Sequence, residues 1–350
     1  MGQYTGVTSA GDELVAFDDI LAAAERLAGV IVRTPLLAFD DRAWLKPESL
    51  QPVGSFKLRG AYNALAALDV GERRAGVVTH SSGNHAQGVA RAARLLGMPA
   101  VIVMPDDAPA TKVAGVRADG ATIVTVGPDS EERVARAHEL AAEQGLYLLS
   151  SYDDRQVIAG QGTAGLEIVE QVAELDLPGA HSARAWDAPP EGLSVVVPIG
   201  GGGLSSGVAT AVKSLRPDAH VYGVEPELAA DAHESLRAGH IVRWAPEQVG
   251  RTIADGQRTT ALGRLNFAQL SRYLDGVLLV SETEIKRAMA RAAARARLVL
   301  EPSGATSLAA WLFHADELPP EGRVVVLLSG GNVDPEPYAR LVAEGRAAGG

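Results

Sequence analysis

The 350-residue chain has no cysteine, which excludes a disulfide framework, a thiolate metal centre and a thiol nucleophile and fits the expectation of a cytoplasmic protein. Aromatic residues make up 5% of it, and the four tryptophans are scattered, so there is no stacking stripe for single-stranded nucleic acid. Positive charge is also short. The formal net charge is −11, against a nucleic-acid surface, whose affinity comes from clustered lysine and arginine. The longest apolar runs, such as 324–328, are of strand length and fall well short of the ~20 residues of a membrane span. The stretch MGQYTGVTSAGDELVAF has neither a basic region nor an apolar one, so no secretory signal is expected.

What is present is alternation. After an amphipathic helix over 18–28, a break at Thr34-Pro35 and a segment ending at Trp44-Leu45-Lys46, a first block sets strands 77–79, 100–104 and 122–126 between helices 86–96, 110–118 and 131–144. A second block follows with helix 164–175, a polar connection 178–192, strands 194–198, 221–224, 276–280 and 323–328, and helices 204–215, 282–297 and 303–313. Apolar strands separated by helices of this length build right-handed βαβ units and parallel sheets. Two open α/β sheets with a cleft between them would gather ligands at the carboxyl ends of the strands.

Between the first helix and the first block lies PVGSFKLRG. Ser55 is a good N-cap residue and the apolar spacing of LRGAYNALAAL is helical, so Lys57 is expected in the first turn. The positive end of the helix dipole there disfavours an ammonium and lowers its pKa, which suits an amine that attacks a carbonyl. A solvated surface lysine is the other reading of this stretch alone.

Four loops can carry chemistry. In Thr79-His80-Ser81-Ser82-Gly83-Asn84-His85 a strand end meets a helix start, a ready site for a carboxylate, although an ordinary capped turn needs one such side chain. Ile199 is followed by Gly200, Gly201, Gly202, Gly203 and Leu204, a loop whose backbone can cradle a phosphate. It matches neither the Walker motif nor GxGxxG. A dinucleotide site stays open there, with Glu225 at the next strand end as a ribose ligand. Ser329-Gly330-Gly331 closes an apolar strand and would let a flat ligand approach the backbone. Glu225-Pro226-Glu227-Leu228-Ala229-Ala230-Asp231 reads either as a solvated acidic loop or as oxygen ligands for a hard cation.

A lysine, a phosphate loop, a carboxylate loop and a strand-end serine together describe a pyridoxal phosphate (PLP) site. The stretches GSFKLRGA, SSGNHAQG, VIAGQGT, PIGGGGL, EPSGA and LSGGN resemble, in order, the fold-type II PLP-dependent serine/threonine dehydratase and serine racemase family, over about residues 18–334. The resemblance implies two open-sheet α/β domains of the tryptophan synthase β-like kind, with 71–151 as a small domain inserted between 1–70 and 152–350, and the active site in the cleft.

It also implies roles. Lys57 would hold PLP and take the α-proton, Phe56 would pack on the ring, and Asn84 would hydrogen-bond the ring hydroxyl oxygen. Gly200, Gly201, Gly202, Gly203 and Leu204 would bind the phosphate, and Ser329 would meet the ring nitrogen. Ser81, Ser82, Asn84 and His85 would hold the substrate carboxylate, with Ser82 also resembling the second acid/base of serine racemase. Glu225, Ala229 and Asp231 would bind Mg²⁺ or Ca²⁺. The implied reaction is β-elimination from L-threonine or L-serine to a 2-oxo acid and ammonia, by a homodimer.

Serine racemase and 3-hydroxyaspartate dehydratase activities are the alternatives, with β-replacement and a dinucleotide-binding protein more remote. Three departures bear on substrate: Ser82 where many threonine dehydratases carry Ala, Ser150-Ser151-Tyr152-Asp153 where relatives show a His-Pro-Phe-Asp type of sequence, and no arginine at Glu131, although Arg133 is close by. With about 20 residues left after the final motif, the C-terminal regulatory domain of long biosynthetic threonine dehydratases is expected to be absent.

Overall fold

Two runs, LSVVVP and RVVVLL, are apolar at consecutive rather than alternate positions, the pattern of strands covered on both faces. A computed structural model describes residues 14–81, 83–108, 110–127, 130–175 and 192–348, and both runs are buried along their whole length. The strands are β1 (Leu37–Ala38), β2 (Ala43–Pro47), β3 (Val77–His80), β4 (Ala100–Pro105), β5 (Thr122–Val126), β6 (Tyr147–Leu148), β7 (Leu193–Pro198), β8 (His220–Pro226), β9 (Gly276–Val280) and β10 (Arg323–Leu328). They form a larger sheet of order β1-β2-β10-β7-β8-β9 and a smaller one of order β5-β4-β3-β6. All pairs are parallel except β1 with β2. The protein is thus a two-sheet α/β fold, as expected.

Alternate residues of β7 and β10 feed separate cores. Val196, Val324, Val326 and Leu328 pack with the helices Glu282–Arg291 and Pro302–Phe313, while Val195, Val197, Val325 and Leu327 pack with Arg155–Leu175 and Gly203–Leu215. The smaller sheet is covered in the same way: Val77, Ile102 and Met104 meet the helices Lys57–Ala67 and Asn84–Leu96, and Val78 and Val103 meet Ser130–Gln144.

The Lys57 helix is anchored twice. Leu58, Ala61, Ala64 and Leu65 enter the core of the smaller sheet. On another face Arg59, fully buried, forms a bidentate pair with Glu48 at 2.7 and 2.9 Å and reaches Glu167 at 2.7 Å, while Lys46 also bonds Glu167. Burying four charged groups is tolerable because each is paired and hydrogen-bonded.

Several elements differ from expectation. Ser55 does not cap the Lys57 helix: the helix starts at Lys57 with Phe56 at its N-cap position, and Ser55 is buried in a bridge to Gly330. The helix expected over 164–175 starts at Arg155, because its polar, glycine-bearing first turns pack inside the protein, which a periodicity count does not register. The helix expected over 282–297 ends at Arg291 and passes into a π-type turn, with Arg297 left-handed at φ 62°. Strand β6 and the helices Asp231–Ala238, Arg264–Tyr273 and Pro335–Ala347 have no counterpart among the expected elements. The connection over 178–192 lies, except for Gly192, outside the described residues.

Candidate active site

The carboxyl ends of the parallel strands deliver the loops to one cavity of about 520 Å³, within the range of small-molecule sites. The register of the larger sheet explains how its parts meet. Leu328 pairs with Pro47 across β10 and β2, so Ser329, just past β10, lies beside the chain entering the Lys57 helix. The Phe56 N–H donates to the Ser329 carbonyl at 3.1 Å, and the next bridge joins Ser55 to Gly330. Phe56, Lys57, Ser81, Asn84, His85, Gly200, Gly201, Gly202, Gly203, Leu204 and Ser329 all line the cavity. Ser82 lies outside the described residues.

Lys57 Nζ donates to the Ser151 carbonyl at 3.0 Å and lies 5.1 Å from the centre of the Phe56 ring. Burial lowers the amine from its ordinary 10.5 to about 8, with Glu301 opposing the shift. Desolvation is therefore a principal cause of the depressed pKa, whereas the sequence argument rested on the helix dipole alone.

The glycine loop runs from β7 into the helix Gly203–Leu215. The first N–H groups of that helix have no intrahelical partner and form an anion site. A Cβ on Gly201 would fall 2.3 Å from Cγ of Tyr152, and Gly202 has φ 99°, so both positions require glycine. Gln257 Nε2 donates to the carbonyls of Ile199 and Val224 and holds the loop to β8.

At the end of β3, Ser81 Oγ accepts from the Gly83 N–H at 3.2 Å. Thr79 donates its hydroxyl to Leu149, so it accepts from His85 Nε2 at 3.1 Å, and burial pushes His85 well below its ordinary pKa. The imidazole is thus neutral with its N–H spent on Thr79. The His85 backbone N–H lies in the first helical turn, where it has no intrahelical partner.

Sequence reasoning missed several lining groups. Glu301 is buried, and burial and Asp255 push its carboxyl from 4.5 up to about 8. Lys112 and Asp255 form a 2.8 Å ion pair that also lines the cavity. Tyr152 seats the glycine loop. Glu301 stands in the EPSGA motif and Tyr152 in the departing segment 150–153, but a pairing across the cleft leaves no local pattern from which their roles can be read. Gly330 also has a different purpose from the one expected: a Cβ there would fall 2.2 Å from Glu301 Oε1, so the missing side chain makes room for Glu301.

The acidic segment lies apart, and none of its three expected ligands lines the cavity. Glu225, in β8, accepts the N–H groups of Ala232 and His233 at 3.0 and 2.7 Å, so its carboxylate is committed to a helix start rather than to a ribose. Ala229 ends a 3₁₀ turn and Asp231 begins a helix. Both carboxylate oxygens of Asp231 are buried without a partner. Among the described residues no three His, Asp or Glu side chains converge to hold a metal, and no helix is long and apolar enough to cross a membrane.

The pyridoxal-phosphate dependent enzyme family matches residues 27–330. An L-threo-3-hydroxyaspartate ammonia-lyase of Pseudomonas sp is 42% identical over 94% of this chain and 99% of its own. A serine racemase of Schizosaccharomyces pombe is 38% identical over 95% and 98%. In structure, the chain is similar to a T.th. threonine deaminase with a TM-score of 0.82 and 44% identity, over 91% and 99% of the two chains. The motifs, the two-sheet fold and these likenesses agree: the chain belongs to the pyridoxal-phosphate dependent enzymes, in the fold-type II family of serine/threonine dehydratases and serine racemases.

Proposed function

We propose that this protein catalyses β-elimination of water from a 3-hydroxy amino acid, L-threonine or L-serine first, yielding a 2-oxo acid and ammonia. The observation that carries it is a lysine amine held near pKa 8 in a cavity that also holds a phosphate-cradling glycine loop, Asn84 and Ser329. These residues fit PLP: the glycines exclude any Cβ, and the helix start supplies free N–H groups. When bound, the cofactor supplies an electron sink that acidifies the Cα–H of an amino acid joined to it.

The protein's own groups do the rest. Lys57, partly neutral at physiological pH, takes the α-proton. Phe56 would pack on the ring, and Gly200, Gly201, Gly202, Gly203 and Leu204 would bind the phosphate. Asn84 would donate to the ring oxygen. Ser329 would meet the ring nitrogen with a neutral hydroxyl, a partner that suits elimination over transamination. Ser81, Asn84 and the backbone of His85 hold the α-carboxylate. Residues 71–151 act as a small domain against the remainder, and the enzyme is a homodimer.

A second reading is favoured by Arg133, which lines the same cavity. A guanidinium there suits a substrate with a second carboxylate, so 3-hydroxyaspartate joins the candidates, and Ser82 keeps racemisation among them. Purified protein should be yellow, and Lys57→Ala should abolish both borohydride-trapped cofactor and ammonia release; elimination persisting in that variant would sink the mechanism. A panel of L- and D-serine, L-threonine and 3-hydroxyaspartate, scored for keto acid and for enantiomer, separates the readings. Arg133→Leu should raise KM for hydroxyaspartate at least tenfold and leave threonine within about threefold, and Ser82→Ala should reduce racemisation more than elimination.

We further infer a Mg²⁺ or Ca²⁺ ion at Glu225, the Ala229 carbonyl and Asp231. Two orphaned, buried Asp231 oxygens support it, since buried charges are paired or coordinate metals. Millimolar Mg²⁺ or Ca²⁺ should raise the Tm of the wild type and leave Asp231→Asn unmoved; an equal rise in both removes the site.

A further inference from the structure

The Asn84 carboxamide is clamped at both ends by residues from the far side of the cleft. Asn332 Nδ2 donates to the Val53 carbonyl at 2.8 Å, and because a backbone carbonyl only accepts, this bond fixes which end of Asn332 carries nitrogen. The same Nδ2 donates to Asn84 Oδ1 at 2.8 Å. Asn84 is fixed in turn, with its own Nδ2 against Glu301 Oε1 at 2.6 Å. Among the described residues nothing takes the second Nδ2 hydrogen, and Asn84 lines the cavity.

The clamp is built into the backbone. A Cβ on Gly330 would come 2.2 Å from Glu301 Oε1 and 3.3 Å from Asn84 Nδ2, and one on Gly54, at φ 71°, would come 2.2 Å from Asn332 Oδ1. The Glu301 N–H donates to the Gly330 carbonyl at 3.2 Å. Burial first and Asp255 second push the Glu301 carboxyl up to about 8, although Asn84, Lys112 and Lys57 pull the other way. At neutral pH it accepts from Asn84 as an uncharged acid and sets no anion beside an anionic ring oxygen.

We propose that Glu301 and Asn332 are positioning residues that lock the Asn84 carboxamide so that it offers an N–H, and not its oxygen, to the ring hydroxyl of pyridoxal phosphate. The inference rests on Asn84 as a cofactor-binding residue. Freed of the clamp, the amide can turn its oxygen to the ring oxygen, and only the fraction that still presents its N–H binds the cofactor well. A donor at the ring oxygen favours its ionised form, so the clamp also tunes the absorption of the bound cofactor.

The test is a double-mutant cycle read as cofactor affinity and as the absorption spectrum of the reconstituted enzyme, with wild type, Asn84→Ala, Asn332→Ala, Glu301→Leu, Glu301→Gln and the doubles with Asn84→Ala. Asn332→Ala and Glu301→Leu should each raise the Kd for pyridoxal phosphate five- to tenfold and shift the bound-cofactor band. In the Asn84→Ala background neither should change Kd more than twofold, because the group they act through is gone. Glu301→Gln keeps an uncharged acceptor and should stay within twofold of wild type. Full-sized effects of the second substitution in the Asn84→Ala background, or Glu301→Gln as damaging as Glu301→Leu, would overturn the inference and leave the elimination reading standing. Should Asn332→Ala fail to fold, the two Glu301 variants decide alone. A wild type that binds no pyridoxal phosphate would overturn both.

Discussion

Lys57 and Glu301 are drawn from opposite sides towards the same pH, the amine down and the carboxyl up, each to about 8. For the apoprotein this sets two opposite linkages. Lys57 binds fewer protons folded than unfolded between about 8 and 10.5, so its contribution to stability is present above 10.5 and is lost as pH falls through 8. Glu301 binds more protons folded between 4.5 and about 8, so its contribution is complete below 4.5 and is lost as pH rises through 8. The rate of cofactor capture by apoenzyme should climb with pH and level off above about 8, where the amine is neutral. Stopped-flow absorbance checks this, and a rise continuing past pH 10 would mark Lys57 as an ordinary exposed lysine. At this scale the site was legible where a residue type is rare in its setting. Lys57, Asn84 and Ser329 stand in short motifs and meet in one cavity. Glu301 opens the EPSGA motif, but its role could not be read there, because it acts on Asn84, 217 positions away in the chain.

Among the elements, the loop between β7 and the helix Gly203–Leu215 is the most constrained part of the site. Four consecutive glycines already indicate close approach of something to the backbone. The structure adds that Tyr152 presses on it from the outside. Gly201→Ala puts a methyl 2.3 Å from the Tyr152 ring, so loop or ring must move, at a cost of about 1–3 kcal/mol. Affinity for pyridoxal phosphate should fall about tenfold or more, measured by fluorescence titration, and Tyr152→Ala in the same chain should recover part of it. No recovery would mean that the strain lies in the loop itself. Strand positions are legible because buried parallel strands are continuous apolar runs. Helix starts are less so. At Lys57 no side chain caps the helix, and burial of Arg59 against Glu48 holds it; at Arg155 the cap is Asp154, whose carboxylate accepts the Val157 N–H at 2.8 Å, a signal that apolar spacing does not register.

For the molecule as a whole, the Arg59 cluster ties together three stretches of chain: the Lys57 helix, the turn at Glu48 and the long helix Arg155–Leu175. Removing the guanidinium leaves Glu48, fully buried, with hydrogen bonds from Thr34 and Gln51 but no cation bonded to it. Arg59→Met should therefore cost about 3–5 kcal/mol, read as a fall in the urea midpoint of the holoenzyme; a loss below about 1 kcal/mol would show that the cluster relaxes to admit water. The two-sheet architecture followed from the alternation of strands and helices. The cluster did not, since Lys46, Glu48 and Arg59 look like surface until the fold brings Glu167, 108 positions beyond Arg59, against them.

The order of the larger sheet bears on how the enzyme is made. β10 lies between β2 and β7, yet it comes last of the strands in the chain. A nascent chain leaving the ribosome therefore carries the lysine, the asparagine and the glycine loop long before the strand that joins them. Until β10 slides into its slot, β2 has no neighbour on that side, Phe56 has no Ser329 carbonyl to bond, and Glu301 has no Gly330 to settle against. The site is complete only once β10 has joined the larger sheet, so any chain that stops short of β10 lacks the Ser329 and Gly330 contacts that seat Phe56 and Glu301.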